Sequence, residues 1–65
     1  MYFPRIEDLR IDSDRKQYEV AAYLHLNREV YRRYEKGEIP VWAVIQLARL
    51  YGTSTDYILG LSDRR

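Results

Sequence analysis

Apolar residues recur along this chain at helical spacing, and glycine, proline or short polar runs mark each interruption. No stretch alternates polar and apolar residues long enough to form a strand. The spacing therefore predicts five short helices. The first opens at Pro4, whose missing N–H costs nothing in an initial turn, and runs to about Ile11 with Ile6 and Leu9 on one face and Arg10 beside them. Asp12-Ser13-Asp14 reads as a turn, because short polar side chains compete for the backbone. The second helix spans Lys16 or Gln17 to Leu24, with Val20, Ala21 and Leu24 facing inward. Asn27 is the N-cap of a third, Arg28 to about Lys36, whose apolar contacts are Tyr31 and Tyr34 and which Gly37 ends. Ile39 and Pro40 lead into a fourth, Val41 to Tyr51, with an inner stripe of Val44, Leu47, Ala48 and Tyr51 and with Ile45 beside it. Ser54 caps a fifth, Thr55 to Leu59, Gly60 stops it, and Leu61 to Arg65 form a tail.

Composition narrows what such a chain can do. Sixty-five residues make one domain, 1–65, since two separate cores would each be too small. At 46% hydrophobic and 32% charged residues it reads as globular rather than disordered. The absence of cysteine excludes disulfides and thiolate zinc sites. One histidine, no glycine-rich phosphate loop and no convergent titratable pair argue against an enzyme, and no cofactor or metal is expected. Asp12 and Asp14 lack the glycine and closing glutamate of a calcium loop, and His25 reads as a turn residue rather than a ligand. No apolar run approaches the roughly 18 residues of a membrane span, and the N-terminus lacks a secretory pattern, so a cytoplasmic protein is expected.

Net charge is only +1, but its distribution is uneven. Arg28, Arg32, Arg33 and Lys36 cluster in the third helix against Glu29 and Glu35, while Glu7, Asp8, Asp12 and Asp14 occupy the N-terminal third. A near-neutral chain can thus carry one basic face. Helices two and three are joined by so short a turn that they must cross steeply, and small Ala21 permits their close approach. That is the geometry of a helix-turn-helix, here about 17–36, whose second helix can enter a DNA major groove about 12 Å wide.

Gln17-Tyr-Glu-Val-Ala-Ala-Tyr-Leu24, then Leu26-Asn27-Arg28, then Tyr31-Arg-Arg-Tyr34-Glu35-Lys36-Gly37 resembles the Cro/phage-repressor (XRE-type) helix-turn-helix family. Leu47-Ala48, Tyr51-Gly52, Ser54 and Asp56 to Gly60 resemble its closing helices, so the likeness runs from Ile6 to Gly60. It implies an all-α, compact five-helix lambda-repressor-like domain. It also implies a sequence-specific DNA-binding transcriptional regulator, a repressor on double-stranded operator DNA. By position, Gln17 matches the family's phosphate-binding glutamine, at a helix start that itself favours anions. Asn27, Arg28, Glu29, Arg32 and Arg33 fall where the family's recognition helix faces DNA. Of these, Arg28 and Arg33 are expected on bases, Glu29 could accept from a cytosine amino group, and Arg32 and Lys36 are expected on phosphate. Arg10 and Glu35 match the family's ion pair between the first and recognition helices. One departure is His25, which stands where the family usually places glycine in a positive-φ turn.

One recognition helix spans few base pairs, so a homodimer on a palindrome is expected, with Ile58, Leu59 and Leu61, joined by Trp42, as its candidate surface. Trp42 has two readings, a partner contact or packing over the 37–40 loop. Tyr18 and Tyr23 lie off the core stripe, as surface residues or as contacts to DNA or a partner. No small-molecule effector is evident. The alternative function is a protein-interaction module, antitoxin-like or anti-repressor, built on the same fold.

Overall fold

The computed structural model describes residues 2–64; Met1 and Arg65 lie outside them, so the predicted tail is followed as far as Arg64. Five helices follow one another: α1 (Pro4–Asp12), α2 (Gln17–Tyr23), α3 (Arg28–Glu35), α4 (Val41–Tyr51) and α5 (Thr55–Leu59). Their starts follow local chemistry. Pro4 sits in the first turn of α1, Asn27 Oδ1 accepts from the Val30 N–H at 2.9 Å, and Ser54 Oγ accepts from the Tyr57 N–H at 3.0 Å. At α2 the capping runs the other way, with the Lys16 N–H donating to Glu19 Oε1 at 2.9 Å.

Their ends share one device. Past each helix stands a residue at positive φ, in order Asp14, His25, Gly37, Gly52 and Gly60. After α2 the Leu26 N–H reaches back to the Ala21 carbonyl at 2.9 Å and the His25 N–H to that of Ala22 at 3.1 Å, the paired bonds of a Schellman turn. The same pair recurs after α1, from Arg15 to Arg10 and from Asp14 to Ile11. Glycine adopts this backbone freely, whereas Asp14 and His25, at φ 59° and 60°, hold it against steric resistance. The positive φ at Asp14 carries no glycine to announce it.

α3 packs on α2 and α1, and α5 on α1 and α4. Tyr31, Ile6, Leu47, Ile58 and Val20 are fully buried, joined by Leu9, Ala21, Leu24, Tyr34, Ala43, Val44 and Ala48. Each large apolar side chain so buried contributes roughly 1.5–3 kcal/mol, the chief source of stability in so short a chain. Ala43 joins the inner stripe of α4 one turn before Leu47, while Ile45, expected beside that stripe, is 40% exposed. One expectation is corrected here. Ile58, expected on a dimer surface, is only 1% exposed because α5 turns that side onto α1 and α4.

The tail is not loose. Arg5 donates through Nη1 to the carbonyls of Tyr57 and Ser62 and through Nη2 to Asp63 Oδ1, while its guanidinium lies 4.2 Å from the centre of the Tyr57 ring. Among the described residues no helix is long and apolar enough to cross a membrane.

Candidate nucleic-acid interface

α3 has two unlike sides. Tyr31, Tyr34 and Glu35 face the core, and Arg28, Glu29, Arg32, Arg33 and Lys36 are exposed along the opposite side. The outward residues follow i, i+1, i+4, i+5 and i+8, so helical geometry alone gathers four cations and one carboxylate into a single stripe. Arg32 Nη1 comes only to 3.9 Å of Glu29 Oε1, and both side chains are more than half exposed. Solvent screens a pair of that kind, so Arg32 keeps its capacity for an external anion. Asn27 caps α3 through Oδ1, which leaves its amide hydrogens outside that bond.

The orientation of α3 is fixed by Glu35, which is 4% exposed and receives three hydrogen bonds. Arg10 Nε donates to Oε2 at 2.6 Å, the Tyr31 hydroxyl to the same oxygen at 2.7 Å, and Gln17 Nε2 to Oε1 at 3.0 Å. Arg10 also donates to the Arg15 carbonyl at 3.1 Å. A buried carboxylate demands such company, since an unpaired charge in the interior is costly. Burial pushes the Tyr31 phenol well above its usual range, with the Glu35 hydrogen bond and charge adding to it. Burial works against the charge on Arg10, but the hydrogen bond and the charge of Glu35, with smaller help from Tyr31 and Glu7, together outweigh it and leave the guanidinium more firmly protonated than usual. The position-by-position expectation of an ion pair between Arg10 and Glu35 thus has its counterpart in a 2.6 Å contact.

Gln17 reaches further. Its Oε1 accepts from Arg28 Nε at 3.3 Å, so α2 touches the first residue of α3 through a side chain. Around them Arg10, Lys16, Gln17, Tyr18 and Arg28 line an open cleft of about 420 Å³. Tyr18, expected as a surface residue or a contact to DNA or a partner, lies on this cleft; Lys16 was not singled out from the sequence as a site residue, and a cation directly before a helix start was the available signal. Tyr23 and Tyr18 are both exposed.

Trp42 packs edge-on against Tyr34, ring centres 6.5 Å apart at 81°, and stays 47% exposed. Leu61 is 75% exposed and Leu59 half-buried. Among the described residues no cluster of three or more His, Cys, Asp or Glu could hold a metal ion.

Compared with known proteins, residues 6–58 match the family model described as helix-turn-helix. No curated protein and no solved structure matches the chain.

Proposed function

From the premise that this chain belongs to the Cro-like (XRE) helix-turn-helix family of DNA-binding domains, we propose that it is a sequence-specific transcriptional repressor that occupies operator DNA. The carrying observation is the outward stripe of Arg28, Arg32, Arg33 and Lys36 on a helix whose other side is locked into the core. Arg28 and Arg33 read bases, since a guanidinium matches guanine O6 and N7 with two donors, and Glu29 can accept from a cytosine amino group. Arg32 and Lys36 hold phosphate, and Asn27 supports them at the helix start. Gln17 donates one amide hydrogen to Glu35 and keeps a second for a phosphate oxygen.

The protein acts as a homodimer on a palindrome, with half-sites about 34 Å apart. Leu61, Leu59 and Trp42 supply its surface, as side chains that the fold leaves wholly or partly uncovered.

Salt titration of binding to sequences selected from a random duplex pool tests the reading. Counterion release makes the affinity fall with a log–log slope of about −0.9 per phosphate held. A flat response, or no DNA affinity, overturns it in favour of a protein-interaction module. Equal affinity for half-site and palindrome overturns the dimer.

A further inference from the structure

We infer that Arg5 is a positioning residue for self-association. It fixes the segment after α5 so that Leu61 projects as a rigid apolar knob, whose seat is the uncharged groove beside α4 on a second copy of the chain. The inference rests on the reading of the protein as a homodimer. It begins with the turn that ends α5. The Gly60 N–H donates to the Tyr57 carbonyl at 3.1 Å and the Leu61 N–H to that of Asp56 at 2.8 Å, the paired bonds of a Schellman turn. In such a turn the residue past the left-handed position commonly packs its apolar side chain on the residue its N–H reaches. Here that residue is the exposed Asp56, so Leu61 finds no apolar partner there and stays in solvent. Arg5 holds the chain on the other side of Leu61. It donates to the Tyr57 and Ser62 carbonyls and, at 2.9 Å, to Asp63 Oδ1. Leu61 is thus tied through its own N–H and through the next carbonyl, and an anchor already held in place loses little freedom on docking.

The seat is a groove of about 370 Å³ lined by Phe3, Ile39, Val41, Ile45, Leu59 and Thr55, with no charged residue in its lining. Val41 and Ile45, one turn apart on α4, are both exposed, so the fold leaves an apolar wall uncovered there. Two observations select a second copy as the occupant. The first is charge. Gly60, Leu61 and Ser62 carry none, and Asp63 stays in solvent paired with Arg5, so docking the knob strands no charge in the groove. The second is continuity. Leu59 lies in the groove and Leu61 follows it by two residues, while Phe3 lies in the groove and precedes Arg5 by two. Knob and seat therefore share one edge of the domain. A closed twofold contact needs that arrangement, because each protomer both gives its knob and receives its partner's.

The chain has no cysteine, so introduced thiols report contacts cleanly. Leu61→Cys protein mixed with Ile45→Cys protein under mild oxidation should give mixed disulfide dimers in excess of the statistical mixture. Arg5→Gln is expected to weaken dimerisation of the whole chain roughly tenfold in sedimentation, the scale of freedom returned to one anchor in each protomer. A folded Arg5→Gln protein that dimerises like wild type overturns the role of Arg5. Nitrogen-15 relaxation of the wild-type protein gives a readout that does not depend on the variant folding. The Leu61 amide should be as ordered as those of α5, and a mobile Leu61 overturns the rigid knob. If wild type sediments as a dimer but the disulfides form statistically, the seat is wrong. The homodimer then stands, and the groove is left to another occupant such as a small apolar molecule. If wild type is monomeric both alone and on palindromic DNA, the homodimer reading itself fails and this inference falls with it.

Discussion

Tyr31 donates its phenolic hydrogen to Glu35, one helical turn further along α3, at 2.7 Å, and shares that carboxylate oxygen with Arg10. α3 thus ends on a buried charge whose only cationic hydrogen-bond partner among the described residues comes from α1. Arg10→Ala removes that partner and leaves the carboxylate with two neutral donors. Losing one member of a buried pair costs about 3–5 kcal/mol, most of what a domain of this size has to lose. Urea denaturation should show a midpoint far below the parent's, and an unchanged midpoint would contradict the ion pair's structural role.

Arg33 and Lys36 are both exposed on α3 and are expected to differ in kind. Arg33→Ala should relax preference at one base position at a cost of about 1–3 kcal/mol, while Lys36→Ala should weaken all sequences alike and lower the salt slope by about one. Binding to a selected site and its single-base variants separates the two. Untouched affinity and preference in Arg33→Ala would remove it from the base contacts.

Alkali provides a test of the core. Burial pushes the Tyr51 phenol up to about 12, against the lowering pull of Arg15 and Arg10, and moves Tyr31 in the same direction. Below the usual tyrosine value of 10.0 both phenols are protonated, folded or unfolded, so they add no pH dependence. Above it the unfolded chain releases protons that the folded chain retains, so stability falls as pH rises from 10 towards 12. Each phenol contributes a slope of about 1.4 kcal/mol per pH unit in that window. Thermal melts of wild type and Tyr51→Phe across it should show the variant losing stability less steeply. Parallel curves would mean that Tyr51 ionises as readily in the folded chain.

His25 holds φ at 60° on an exposed turn. His25→Gly relieves a left-handed strain of about 1–2 kcal/mol and returns about 0.4–1 kcal/mol to the unfolded chain as entropy. A net gain of about 0.5–1 kcal/mol is expected, read as a higher melting temperature with DNA affinity unchanged. A lower melting temperature would show that the imidazole contributes more than its backbone costs.

The helices were legible because their boundaries are written in capping residues. α4 and α5 begin and end where Pro40, Gly52, Ser54 and Gly60 put them. At α2 and α3 the expected last residue, Leu24 or Lys36, instead serves as the cap. Ala43 was missed for a different reason, since a small side chain gives a weak apolar signal. The two sides of α3 followed from periodicity alone. The bond from Gln17 to Arg28 did not, since it depends on rotamers set by a carboxylate eighteen positions further along. The Arg5 clamp on Ser62 and Asp63 spans almost the whole chain, and no local pattern announces it.

The division of α3 into two sides has an engineering consequence. Glu29, Arg32, Arg33 and Lys36 have no hydrogen bond or ion pair to any other element among the described residues. Those four positions can therefore be randomised as a library with little effect on the scaffold beneath, making the domain a chassis for new target sequences. Position 28 is the exception, because exchanging it also frees a partner on the neighbouring helix.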